Sequence, residues 1–346
     1  MQFRRMDAAL RRWVRRLIDR VVGGSVLKVL EDRAVIARID ALESELRAMP
    51  DDFVDALHGA GIHPRVEILK RGVVKGYPEH DEDAGERACV LMHLLKPEAL
   101  VDGDYVRLGR DHDGGYVMAA DLLNGGVAYS FGIADDVSWD ADMAERGYEV
   151  FQYDHTIERL PDSHERFHFE AVGICPSGRD GGRLRSLYAL LERNGHAARR
   201  DLVLKIDVEG AEWEVFAAMP AESLRCFAQI VVELHWLDRA GDAAFFATAH
   251  EALSRLRREF VPVHVHGNNY GGLRVLGGVC IAPVLEVTYV RRDLARTKPD
   301  DRCFPTPLDQ PNHPDRPDLW LGRFEYPEPV SGGRCADPGV DGTIGR

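Results

Sequence analysis

Apolar and polar positions follow two rhythms along this chain, and the change from one to the other marks its organisation. Residues 1–22 keep helical spacing: Phe3, Met6, Leu10, Trp13, Val14, Leu17 and Val21 form one stripe. Arg4, Arg5, Arg11, Arg12, Arg15 and Arg16 fall on the opposite face. After Gly23-Gly24 a second helix is expected, with Val35, Ile39, Leu42, Leu46 and Met49 in a heptad-like seam about two heptads long. That seam suits a homodimer or packing within the chain. Residues 51–125 are mixed, with a helix expected over 84–96, a strand-like Tyr105-Val106-Arg107-Leu108 and a loop from Gly109 to Tyr116.

From Gly126 the rhythm becomes regular. Strand-like apolar runs at 127–133, 148–153, 167–174, 201–207, 227–235, 260–266 and 277–290 are separated by helical patterns at 138–146, 183–194, 211–218 and 242–258. Such alternation predicts an α/β protein with a doubly wound, mostly parallel seven-stranded sheet. The short Gly-rich link from Gly267 to Gly278 predicts that the last two strands form an antiparallel pair closing it. Half of the 18 prolines lie from Pro299 onward, so the tail is expected to be irregular. Four zones result: N-terminal helices over 1–50, a cap or leader over 51–125, the sheet domain over 126–292, and a Pro-rich tail over 293–346.

Composition narrows the classes. With 45% hydrophobic and 29% charged residues the chain can bury a core, and no apolar run is long enough to span a bilayer. The net charge of −13 argues against a nucleic-acid partner. The first 20 residues run the other way: seven Arg against Asp7 and Asp19 give +5. A basic amphipathic helix can lie on an anionic membrane surface or pack its stripe on the domain. The six scattered cysteines, with no Cys-x-x-Cys pair, fit reduced thiols. The N-terminus lacks the apolar core of a secretory signal. A cytoplasmic location is expected, peripheral to a membrane if the helix binds one.

The candidate chemistry sits at strand ends. The first strand closes on Ser130-Phe-Gly132, and the second ends at Asp154. A glycine turn followed by an acid is how a Rossmann-type sheet holds an adenosine, the carboxylate accepting from ribose hydroxyls. Ala134 and Val137 stand where a dinucleotide fingerprint has its second and third glycines. That favours a phosphate-free nucleoside over NAD. The fourth strand delivers Lys205-Ile-Asp207-Val-Glu209-Gly-Ala-Glu212, with Asp207 at its carboxyl end. Glu209 and Glu212 suit either chemistry or the N-terminal dipole of a helix.

Lys-Ile-Asp-Val-Glu-Gly-Ala-Glu resembles the signature of the FkbM-like methyltransferases, class I enzymes that use S-adenosyl-L-methionine. Arg107-Leu-Gly109, Asp113-Gly114-Gly115-Tyr116 and Ser130-Phe-Gly132 follow that pattern in order, over roughly residues 100–292. The resemblance implies a class I methyltransferase fold and methyl transfer to a sugar or natural-product hydroxyl, with a small molecule or glycan as acceptor. Gly132, Ser130 and Asp154 would hold the cofactor, and the Asp113-Gly114-Gly115 loop would close over it. Many class I enzymes carry an acid at the end of strand one, where this chain has Tyr129-Ser130. Asp113 or Asp135 would then meet the amino-acid end of the cofactor.

Two further pairs follow the strand period of two. Glu233 and His235 share one face at the end of the fifth strand, and His264 and His266 share one face on the sixth. A histidine beside a carboxylate suits a general base, and the same residue types suit a divalent cation such as Mg²⁺ or Mn²⁺. The expectation is that Asp207, Glu209, Glu233 and His235 converge as the catalytic group, with Glu233 orienting His235. A nicotinamide-dependent oxidoreductase and a non-catalytic membrane-surface scaffold are the rival readings.

Overall fold

The computed structural model describes residues 82–277 and 279–329. The basic helix over 1–22, the seam over 35–49 and the end of the tail lie outside the described residues. Among the described residues no helix is long and apolar enough to cross a membrane.

The alternation seen in the sequence becomes seven strands: β1 (Gly126–Phe131), β2 (Tyr148–Tyr153), β3 (Phe167–Glu170), β4 (Leu202–Ile206), β5 (Phe227–Leu234), β6 (Phe260–Gly267) and β7 (Leu285–Arg291). Their order is β3-β2-β1-β4-β5-β7-β6. Only β7 is antiparallel to its neighbours. This is a Rossmann-like sheet, the doubly wound order 3-2-1-4-5-6 with one antiparallel strand inserted between the fifth and sixth. The last two strands pair antiparallel as expected, but β6 takes the edge and β7 fills the gap inside it.

Two strand boundaries differ from expectation. The run 167–174 breaks after Glu170, and Gly173–Cys175 turns away to pair with Leu184–Ser186. The following helix therefore starts later, at Leu187, with Ser186 as its cap accepting from the Ala189 amide. The run 277–290 splits because Pro283 cannot donate to a ladder. Its first part, Val279–Ile281, forms a separate hairpin with Arg274–Leu276.

Helices cover one face of the sheet and a helix with a hairpin covers the other. On the first, Leu91 and Leu95 of α1 (Glu82–Leu95) and Trp213 and Phe216 of α4 (Glu212–Ala218) pack with Leu253 and Leu256 of α5 (Ala243–Glu259) against Tyr129, Phe131 and Leu204; α2 is Ser138–Glu145 and α3 Leu187–Arg193. On the second, Trp139 and Met143 of α2 meet Leu108, Tyr116 and Met118 of the hairpin Tyr105–Leu108/Tyr116–Ala119 over Ala128, Val150 and Val203. Each fully buried side chain of this size stabilises by about 1.5–3 kcal/mol. The described part of the leader region, from residue 82, thus supplies cover to both faces.

Up to residue 329 the tail is mostly irregular, as its prolines imply, yet it is packed: Phe304, Leu319 and Phe324 are buried. It also supplies partners for the β6 histidines. Asp309 takes His264 Nε2 at 2.8 Å. His266 is held between Glu286 Oε2 at 3.0 Å and Asp318 Oδ1 at 2.9 Å.

Burial lowers the His266 pKa, but Glu286, Asp309 and Asp318 outweigh it and raise it well above 6.5. Burial raises Asp309, but His264 and His266 outweigh it and hold it far below 3.8. The His266 contribution is fully present below pH 6.5 and is lost as pH rises through its raised folded value. The Asp309 contribution is present above pH 3.8 and is lost as pH falls through its depressed folded value. Amide-exchange protection of residues 300–329, corrected for intrinsic rates, should therefore be highest between about pH 4 and 6.5 and fall on both sides. A flat profile would show that these pairs do not hold the tail.

Candidate functional site

A cleft of about 320 Å³ opens at the carboxyl ends of β1, β2 and β4. The strand order reverses there, because the chain leaves β1 towards β2 and later returns to β4 on its other side. Doubly wound sheets bind ligands at such a switch point. Asp113, Gly114, Gly132, Asp135, Asp154, Asp207 and Glu209, all singled out in the sequence, line it.

Gly132 has φ +78, and a Cβ there would stand 1.6 Å from the Asp207 carbonyl oxygen. The glycine is thus required by the close approach of the chain leaving β1 to the chain leaving β4, its parallel neighbour. Lys205 secures the approach: its Nζ donates to the Gly132 carbonyl at 2.9 Å and lies 5.6 Å from the Tyr116 ring centre.

Asp154 has a different partner set from the one expected. Its Oδ2 accepts the backbone amides of Ile133 (2.8 Å) and Ala134 (2.9 Å), and its Oδ1 accepts the Thr156 amide (2.7 Å) and hydroxyl (2.6 Å). Burial alone would raise its pKa; the donors from Ala134, Thr156 and Ile133 outweigh it and hold the carboxyl below its ordinary value. Four donors fill a carboxylate's acceptor sites. Asp154 therefore orders the glycine turn, and no lone pair is left for a ribose.

Two expected cofactor residues stand away from the cleft. Ser130 is wholly buried in β1, across from Gln152 of β2 and Lys205 of β4. Its period-two position points it into the layer between sheet and α2 rather than out of the strand end. Gly115 is packed against Arg107, whose guanidinium would lie 2.1 Å from an added Cβ.

The acidic and imidazole side chains converge as the spacing implied. One ligand atom each from Asp207, Glu233 and His235 lie within 4.8 Å of one another. His235 Nε2 is 3.8 Å from Asp207 Oδ1 and 3.4 Å from Glu209 Oε2. The parallel pairing of Ile206 with Val232 makes this so, since the next residue of each strand emerges at the same level.

The carboxylate that orients His235 is Glu212, not Glu233. Glu212 is fully buried; its Oε1 accepts the His235 amide (2.7 Å) and Nδ1 (3.0 Å), while Oε2 accepts the Gly210 amide (2.8 Å). Glu233 instead accepts from Asn268 Nδ2 at 2.6 Å. Burial depresses the His235 pKa, but Glu212, Asp207 and Glu209 outweigh it and raise it. Burial, with Asp207 and Glu286 alongside, pushes the Glu233 carboxyl well above the usual range. Tyr116 donates to Asp207 Oδ2 at 3.2 Å.

Backbone strain collects here too. Ala134, Glu209 and Trp236 are non-glycine residues at φ +47, +53 and +61. Such conformations persist where the surroundings over-determine them, as at binding sites. His264 and His266 are also buried and paired with carboxylates, and like Glu233 and His235 they do not themselves line the cleft, which Asp207 and Glu209 reach.

Lys205 and Tyr116 stand in the motifs read from the sequence without a role of their own, and the hub role of Glu212 was missed. A lysine in the otherwise apolar run Leu-Val-Leu-Lys-Ile was the available signal for the first. The chain matches no protein-family model and no similar curated protein.

Proposed function

We propose that the protein is an S-adenosyl-L-methionine-dependent methyltransferase acting on a hydroxyl oxygen of a small molecule or glycan. The observation that carries this reading is the Asp154 carboxylate on the Ile133 and Ala134 amides. In a dinucleotide site those amides would cradle a pyrophosphate. Here an anion of the chain already occupies them, which disfavours NAD and suits a nucleoside without phosphates.

Charge supports the same choice. Six carboxylates line the cleft (Asp113, Asp135, Asp136, Asp154, Asp207 and Glu209), against Arg110 and Lys205 as fixed cations. That surface complements a sulfonium and an ammonium and repels a pyrophosphate. The volume is of the size that takes a small ligand. The antiparallel β7 within a doubly wound sheet is in keeping with the class I methyltransferase reading.

The cofactor, when bound, supplies an electrophilic methyl group on a cationic sulfur. Asp113 and Asp135 would hold its amino-acid end, and the Gly132 turn, braced by Asp154, would shape the wall against its nucleoside. Asp207, Glu233 and His235 form the acceptor end, where a hydroxyl must be oriented and lose its proton. A sugar hydroxyl is too weak an acid for imidazole to deprotonate fully at neutral pH, so the proton would leave either by partial transfer to His235 in the transition state or after a cation has acidified the hydroxyl.

The test is calorimetry and thermal shift with S-adenosylhomocysteine and NADH. At a hundredfold excess over Kd, S-adenosylhomocysteine should add about 2.7 kcal/mol of stability, and NADH none. Asp154→Ala should weaken S-adenosylhomocysteine by about tenfold or more through collapse of the turn. Binding of NADH instead indicates the oxidoreductase, and binding of neither leaves the scaffold.

A further inference from the structure

Beside the cleft, behind Asp207 of its wall, three side chains of ligand type come together. Asp207, Glu233 and His235 bring two carboxylates and an imidazole to within 4.8 Å of one another, from the ends of adjacent strands β4 and β5. Convergence of acids is common, so what surrounds the three matters more than their number. Each of the three is held by a partner outside the group. Glu212 takes His235 Nδ1, Asn268 Nδ2 holds Glu233 Oε1, and the Tyr116 hydroxyl holds Asp207 Oδ2. Metal-binding histidines almost always donate their other ring nitrogen to a carboxylate or carbonyl, and binding carboxylates are themselves hydrogen-bonded.

His235 and Glu233 are more than nine-tenths buried. Glu212 takes up His235 Nδ1 and Asn268 takes up Glu233 Oε1, while His235 Nε2 lies 3.4 Å from Glu209 Oε2 and 3.8 Å from Asp207 Oδ1. The imidazole and the carboxylates thus stand within ligand reach of one another, beside the cleft wall to which Asp207 belongs, and a cation there would join them.

We propose that Asp207, Glu233 and His235 bind one divalent cation of the Mg²⁺/Mn²⁺ class, with its open positions facing the cleft. The oxygen-rich donor set selects a hard ion, and the imidazole favours Mn²⁺ over Mg²⁺, which dehydrates reluctantly and takes oxygen ligands. A hydroxyl coordinated there becomes far more acidic than in water. This rests on the methyl-transfer reading and deepens it, because the cation would acidify the acceptor hydroxyl with His235 as a ligand and not as the base. The binding itself needs neither cofactor nor acceptor.

The experiment uses the whole chain, stripped with chelator and dialysed, and titrates Mn²⁺ alone while the free-ion paramagnetic resonance signal is followed. About one Mn²⁺ per chain should disappear from that signal, with Mg²⁺ competing weakly. Asp207→Asn and Glu233→Gln should each weaken binding by at least about tenfold, and Glu212→Gln by about 10–100-fold through the His235 ring. Glu214→Gln, on the exposed side of α4, should leave it unchanged. Far-ultraviolet circular dichroism checks that each variant is folded. The proposal is overturned if the wild-type chain removes no Mn²⁺ at millimolar concentration, or if folded Asp207→Asn binds as tightly as wild type. Mn²⁺ binding without S-adenosylhomocysteine binding would retain the cation site and reject the methyltransferase. The reverse pattern would do the opposite.

Discussion

Gly132→Ala should cost about 3 kcal/mol or more of unfolding free energy and abolish ligand binding in the cleft. Two penalties add. An alanine at φ +78 carries about 1–2 kcal/mol of left-handed strain. Its Cβ would also overlap the Asp207 carbonyl oxygen at 1.6 Å. Relief requires the ends of β1 and β4 to part, but the Asp207 amide donates to the Phe131 carbonyl at 3.0 Å and Lys205 clamps the Gly132 carbonyl. Overpacking of this kind typically costs about 1–3 kcal/mol beyond the strain. Gly147 is the control: it has φ +86, but nothing lies within 4 Å of an added Cβ. Gly147→Ala should show the strain alone, about 1–2 kcal/mol. Urea denaturation of both variants measures the difference, and equal losses would refute the steric argument.

Glu212→Ala should be as damaging for a different reason. It strips the acceptor from three donors at once: the Gly210 amide, the His235 amide and His235 Nδ1. Each buried donor left unsatisfied costs about 1–3 kcal/mol, so a loss of about 3–5 kcal/mol is expected. Glu212→Gln should recover part of it, since an amide oxygen accepts while its nitrogen cannot. Glu214→Ala is the comparison, because Glu214 is exposed and its ion pair among the described residues is with exposed Arg179. It should lose no more than about 1 kcal/mol. Histidine nitrogen shifts in the NMR spectrum offer a second readout, since His235 should lose its fixed tautomer only when Glu212 is changed. An unchanged tautomer in Glu212→Ala would show that some other group orients the ring.

The seven strands were legible because each is an apolar run ended by a turn, and burial enforces that pattern residue by residue. Asp207, Glu233 and His235 were legible as a group because strand ends in such a sheet share one rim. What could not be read was which acid does what. Glu212 in the first turn of a helix looks like any dipole-complementing glutamate, and only the return of β5 beside it makes it a hub. Asp154 has the residue type and position of a ribose-binding acid. Its true donors, the amides of Ile133 and Ala134, lie 21 and 20 residues earlier, where sequence carries no mark of them. His264 and His266 read as candidates because a strand pair is a local pattern, while their partners Asp309 and Asp318 stand 45 and 52 residues on.

The packed tail has a consequence for the order in which the molecule is made. Asn312 bridges Asp113 Oδ1 and Glu286 Oε1, spanning 199 residues back to the loop that borders the cleft. As the chain is synthesised, all seven strands emerge before Asp309, Asn312 and Asp318. The sheet can pair early, while two buried histidines and the Asp113 loop still lack their fastenings. Contacts of such long sequence separation form late. The nascent protein would pass through a state with its β-sheet formed and its ligand cleft unfinished. Ligand binding should accordingly lag behind the rise of secondary structure during refolding.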